Sequence, residues 1–281
     1  DQFAAYLGED LHAVAVNSAT AGLHLAVEAL GIQSGDEVIV PTHTFTATAE
    51  VVRYMGADPV FVDIEPGTYC LDPAAVDAAV SDRTRAIIPV HYAGLAADMV
   101  AISGIAKRHG LAIIEDAAHA FPTRTQGSLI GTLDTDCTIF SFYATKTIAT
   151  GEGGMLITRR EDIARRAQVM RLHGIDRDAF DRYISSKPSW YYEVIAPGYK
   201  YNLTDVAASI GLQQLRKADV FHQRRSALAH RYDDSLRDLP IRLPPRREGD
   251  THAWHLYVIQ LTPEARIDRD ELIRRMFERG I

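Results

Sequence analysis

The chain is poor in cysteine. Cys70 and Cys137 are the two among 281 residues, too few and too far apart for a disulfide framework or a four-ligand zinc site. That count fits a reducing cytoplasm. Long apolar runs are missing too: no stretch approaches the roughly 20 residues needed to cross a bilayer. The opening DQFAAYLGED is acidic, unlike a secretory signal. Nor is there an excess of positive charge. Lys and Arg number 30 against 37 Asp and Glu, a formal net charge of -7, so nothing marks a nucleic-acid or anionic-membrane surface. Two enzyme signatures are also absent. There is no G-x-S-x-G elbow, and Gly151-Glu152-Gly153-Gly154 lacks the final glycine of a dinucleotide fingerprint and precedes a strand instead of a helix. Small-molecule chemistry of another kind remains.

With 47% hydrophobic residues the chain can bury a full core. Seven short apolar, β-branched runs recur at 14–16, 38–40, 60–64, 86–90, 111–114, 138–142 and 155–158. Helical periodicity fills most gaps, at 21–30, 46–55, 73–80 and 99–109. This alternation predicts an α/β fold with a seven-stranded, mostly parallel sheet covered by helices on both faces. Helices are expected over 160–172 and from 204 onward. Between them, 174–201 is too long for a passive connector and carries Trp190, Tyr191, Tyr192, Tyr199 and Tyr201, which suits contact with a ligand or partner subunit. From 221 the chain turns basic and helical, breaks over 240–248, and continues as a strand-like HAWHLYVIQL and a helix over 269–279. The reading is a large domain, 1–220, and the beginning of a smaller C-terminal α/β domain, 221–281, incomplete by itself.

Four segments carry candidate chemistry. Lys146 follows a strand-like run, 138–145, and a side chain at the carboxyl end of a buried strand points into the crevice of an open sheet. Residues 17–22, NSATAG, lie between a strand and a helix, where small residues and the first N–H groups of the helix cap it or hold an anion. In IIEDAAH, 113–119, Asp116 either caps the next helix or holds a proton on the ring nitrogen of a flat heterocycle. In PTHTFTAT, 41–48, Phe45 either belongs to the core or stacks on such a ring. His43, His91 and His173 face the crevice or the core. His252 and His255, three apart in a strand, would fall on opposite faces as structural residues. Together the segments offer an anion cradle, a carboxylate, an aromatic plate and an amine able to form a Schiff base. These are the groups a pyridoxal phosphate enzyme supplies.

The blocks SATAGLHLAVEALGI, GDEVIVPTHTFTATA, AIIPVHYAGLAADM, IIEDAAHA, FSFYATK with EGG, and GYKYNLTD resemble, in order, the DegT/DnrJ/EryC1/StrS sugar aminotransferase family. HYAG, EDAAHA and PGYKYNLTD look nearest to the branch that aminates a UDP-linked 4-keto-pentose. The resemblance implies a fold-type-I, pyridoxal 5'-phosphate-dependent enzyme. It makes Lys146 the cofactor-binding lysine and proton shuttle, Asp116 the pyridinium partner and Phe45 the stacking ring. It assigns the phosphate to the backbone of Thr20 and Ala21 and the hydroxyl of Ser141, and puts His119 beside the ring oxygen. Lys200 and Asn202 of GYKYN stand where many members have GYNYR, whose asparagine reaches the neighbouring subunit's phosphate, so either serves a homodimer. The implied reaction carries an amino group from L-glutamate, leaving 2-oxoglutarate, to the 4-keto carbon of a UDP-keto-sugar for lipopolysaccharide or lipid A synthesis. Another nucleotide-linked keto-hexose, or a non-catalytic or regulatory member of the scaffold, is the alternative. Lys146 argues against the dehydratase branch, which carries histidine there. The family also has a segment before Asp1 and a longer small domain after Ile281, so the chain reads as truncated.

Overall fold

Seven strands of the computed structural model, which describes residues 1–8, 10–176 and 192–281, form one sheet. Helix α1 is Gln2–Leu7. The sheet strands are β1 (His12–Val16), β2 (Glu37–Pro41), β3 (Asp58–Val62), β4 (Thr84–Ile87) and β5 (Ala112–Asp116). After a small hairpin, β6 (Arg124–Thr125) and β7 (Ser128–Leu129), they end with β8 (Cys137–Ser141) and β9 (Gly154–Thr158). The sheet order is β1-β9-β8-β5-β4-β2-β3. Only β9 runs against its neighbours, so the other six open their carboxyl ends along one edge. All seven strand runs expected from the sequence lie in this sheet, each shifted by a few residues at most.

Continuous apolar strands are required because both faces are covered. Val38 and Val40 join one core with α2 (Ala19–Ala29), α3 (Ala47–Tyr54) and α6 (Glu161–Met170). Ile39, between them, joins another with α4 (Pro73–Ala79) and α5 (Met99–His109). Ile114 and Ile139 face the first core, Ile113 the second. Phe140 turns to a third, where Phe3 of α1 packs edge-on at 5.2 Å. Period-two alternation thus splits each run between two buried surfaces. α5 shows local cause clearly: Asp98 caps Ala101 and Gly110, at φ 66, ends the helix.

Beyond the sheet the expectations hold less well. The helical stretch from 204 is two helices, Asp205–Leu215 and Ala218–Leu236, and the second crosses 220/221, where the sequence reading divided the chain. The run 252–261 is a strand only at Gln260–Leu261, paired with Ile241–Arg242. Its first half drapes irregularly over 93–94: Ala253 donates to the Gly94 carbonyl, and His255 and Leu256 to that of Ala93. Trp254 sits at φ 53, incompatible with an extended ladder. Residues 177–191, including Trp190 and Tyr191 of the aromatic loop, lie outside the described residues.

Candidate active site

The carboxyl ends of β1, β5 and β8, the turn after β2 and the start of β9 surround a cavity of about 600 Å³. Its lining includes Ser18, Thr20, Phe45, Asp116, His119, Ser141 and Lys146. Six of the nine sequence candidates therefore meet in one place.

The anion cradle is built by α2. Ser18, extended at φ -163, accepts the Ala21 N–H on its hydroxyl at 3.1 Å. Ala21 is thus spoken for and does not line the cavity, whereas the Ala19 and Thr20 N–H groups find no partner among the described residues. They are the outward donors of a helix N-terminus, where the dipole favours negative charge. β9 presses against this turn. A Cβ on Gly154 would stand 2.7 Å from the Ser18 carbonyl carbon and 2.8 Å from the Ala19 nitrogen, so only glycine lets the strand approach. The cradle offers an anion two outward N–H donors at a helix N-terminus.

Asp116 ends β5 fully inside the protein. Thr48 donates to one of its oxygens at 2.8 Å, and the Ala118 N–H to the other at 3.1 Å. Thr44 lies 2.7 Å from the Thr48 hydroxyl, completing a relay of hydroxyls from the turn after β2. Burial pushes the Asp116 carboxyl up, while these hydrogen bonds and the nearby Lys146 amine pull it back. A buried carboxylate balanced in this way is suited to a cationic N–H partner. Its neighbour Glu115 points to the opposite side of the strand, where it takes Thr135 and Thr138 hydroxyls at 2.7 Å each and His91 at 2.9 Å. Of the two carboxylates, one serves the cavity and one the core.

Lys146 is not on a strand. β8 stops at Ser141, and the lysine sits in the following turn, its N–H on the Tyr143 carbonyl at 2.9 Å. Phe142 donates to Gly153, and Thr150 to Phe142, each at 2.8 Å, so the loop 142–153 closes on itself and aims the amine inward. Burial lowers the pKa of Lys146 and Asp116 raises it in part. His119 accepts the Ala93 N–H on Nδ1 at 3.2 Å, and burial holds its imidazole down at about 3. It is neutral, with the proton on Nε2, and so a donor. Phe45 stands 75% exposed at the mouth, a free aromatic face and not a core residue.

Lys200 and Asn202 do not reach this cavity. Their segment runs along the end of β1, where Asn17 donates to the Lys200 carbonyl at 3.2 Å and its N–H to that of Tyr201 at 2.7 Å. Of the undecided histidines, His43 lines the cavity, His91 is buried on Glu115 and His173 is exposed. Sequence reasoning placed His255 among structural residues, yet its ring lies 4.3 Å from that of His119. The assumed strand hid it. Thr48 was within reach of reading, since it stands one helical turn after Thr44.

A sequence profile of the DegT/DnrJ/EryC1/StrS aminotransferase family matches residues 1–281. The chain is 48% identical over 274 residues to the spore coat polysaccharide biosynthesis protein SpsC of Bacillus subtilis, spanning 97% of this chain and 70% of that protein. It is similar to the structure of S. venezuelae DesV in complex with a ketimine intermediate, with 38% identity and a TM-score of 0.89 over 100% of this chain and 71% of that one. It is likewise similar to NtdA from Bacillus subtilis with bound cofactor PMP, with 32% identity and a TM-score of 0.77 over 90% and 56%.

Proposed function

This chain belongs to the DegT/DnrJ/EryC1/StrS aminotransferase family, and we propose that it is a pyridoxal phosphate-dependent enzyme that moves an amino group from L-glutamate to the keto carbon of a nucleotide-linked sugar. The observation that carries the reading is the pairing of Asp116 and Lys146 across one cavity, each acting on the other's charge.

The residues fit the cofactor. The Ala19 and Thr20 N–H groups, with Ser18 and Ser141, would hold its phosphate, Asp116 its ring nitrogen and His119 its ring oxygen, and Phe45 would cover the ring face. When bound, pyridoxal phosphate supplies a carbonyl carbon conjugated to a ring that draws off the electron pair left by a departing proton. Asp116 would keep the ring nitrogen protonated, and Thr48 with Ala118 fixes the carboxylate for that task. Lys146 takes the proton from the donor's Cα and returns one to the product, which requires its neutral amine, and burial increases that form. The ketosugar then passes through the same residues in reverse order.

The active unit is a homodimer in this reading. Asp205–Leu215 has no buried residue although Val206, Ile210 and Leu212 are apolar and exposed, and Lys200 lies exposed just before it. An uncovered apolar helix beside the cavity suits a second copy, to whose phosphate Lys200 or Asn202 would reach. The likeness to a spore coat protein supports a sugar bound for surface polysaccharide. The HYAG and GYKYN blocks favour a UDP-4-keto-pentose within that class. A half-reaction of the aminated enzyme with UDP-4-keto-pentose and UDP-4-keto-hexoses tests the choice. The pentose should turn over fastest, and a faster hexose would reassign the substrate.

A further inference from the structure

We propose that Arg225, which is hydrogen-bonded to the turn that carries Lys146, is the receptor for a carboxylate of the amino donor. The identity of the ligand rests on the aminotransferase reading above; the site rests on geometry.

On the helix Ala218–Leu236, Ala218, His222, Arg225 and Ala229 follow one another at spacings of 4, 3 and 4, a single stripe. Ala218 and Ala229 are buried, and His222 Nε2 lies 3.0 Å from the His252 carbonyl, so the stripe faces the body of the protein. Arg225 is therefore an inward arginine. Its guanidinium donates to the carbonyl of Thr147, the residue after Lys146, and stands 5.9 Å from the Phe221 ring centroid. Its field reaches His255, which packs on His119 in the cavity wall.

What Arg225 lacks is an acid. Several other arginines are paired: Arg166 with Glu28, Arg246 with Asp233, Arg160 with Asp136 and Asp162. Among the described residues no carboxylate lies within 4.0 Å of the Arg225 guanidinium, and its one hydrogen bond to them, to Thr147, engages one of its five N–H donors. Burial without a counter-charge pushes its pKa down, a cost that an anionic ligand would relieve. The planar fork matches a carboxylate in two parallel hydrogen bonds. The donor must bring its Cα to Lys146, and Arg225 is tethered to the next residue along, so a carboxylate of that donor is the anion the position suits.

Calorimetric titration with glutarate, a dicarboxylate without an amine, measures the site directly on the full chain with cofactor bound. R225Q should weaken glutarate binding by roughly tenfold or more, the worth of one charged hydrogen-bonded pair, and R225K should recover part of it. In stopped-flow half-reactions with L-glutamate, the larger share of the R225Q loss should lie in the half-saturating concentration, not the maximal rate. Unchanged glutarate affinity in both variants would overturn the proposal. So would a loss confined to maximal rate with a shifted cofactor absorbance, which would make Arg225 a brace for the Lys146 turn. A wild type that binds glutarate through Arg225 but takes no amine from L-glutamate would uphold the carboxylate site and overturn the aminotransferase reading.

Discussion

His119, His252 and His255 are held neutral by burial, at about 3, 4 and 4, against about 6.5 in an unfolded chain. The folded state refuses protons that the unfolded state accepts below that value. Stability is therefore complete above about pH 6.5 and lost as the pH falls toward the folded values. Denaturant midpoints measured from pH 7 to 4 should fall, and H119Q should flatten the slope; an H119Q slope equal to wild type would contradict the burial of that ring. Lys146, Asp116 and Phe45 could be singled out from the sequence because each ends or closely follows a strand, and Ser141 from the family resemblance; the structure brings all four to one cavity. His255 could not be singled out, because its place depends on three backbone hydrogen bonds to 93–94, formed between segments some 160 residues apart. Arg225 was hidden for a related reason: one of three arginines on a helix says nothing until the helix has a face.

Strands were the most readable elements, since runs such as 38–40 are apolar on both sides and bounded by turns. The end of β8 was misjudged because Phe142 is buried and continues the apolar pattern after the ladder stops. At this scale Gly154 has the sharpest consequence. An alanine there meets backbone at 2.7 and 2.8 Å, and backbone cannot swing aside. G154A should cost about 1–3 kcal/mol by overpacking and open the Ser18–Ala19 turn, so that pyridoxal phosphate is lost on dialysis. G104A, with nothing within 4 Å of its Cβ in α5, should be neutral or gain about 0.5–1 kcal/mol. Equal unfolding midpoints and equal cofactor retention in the two variants would contradict the role given to Gly154.

For the whole molecule, the single-chain cavity has its cradle, carboxylate and amine, but Lys200 and Asn202 stand outside it, and the helix Asp205–Leu215 has no fully buried residue and leaves Val206, Ile210 and Leu212 exposed. The proposed homodimer would account for both. I210E should convert a dimer to monomer in light scattering and weaken cofactor binding; a monomeric wild type, or a dimeric I210E with full affinity, would contradict this. The packing of the helix Ala218–Leu236 was not legible, because its inward face shows only once its neighbours are placed. Cradle, carboxylate and aromatic plate all surround the amine of Lys146. The most direct test is to incubate the protein with pyridoxal phosphate, reduce with borohydride and map the modified peptide by mass spectrometry. A single pyridoxyl group on Lys146, with the absorbance band bleached on reduction and absent in K146A, is the result expected. No band, or a label carried by another lysine, would contradict the account.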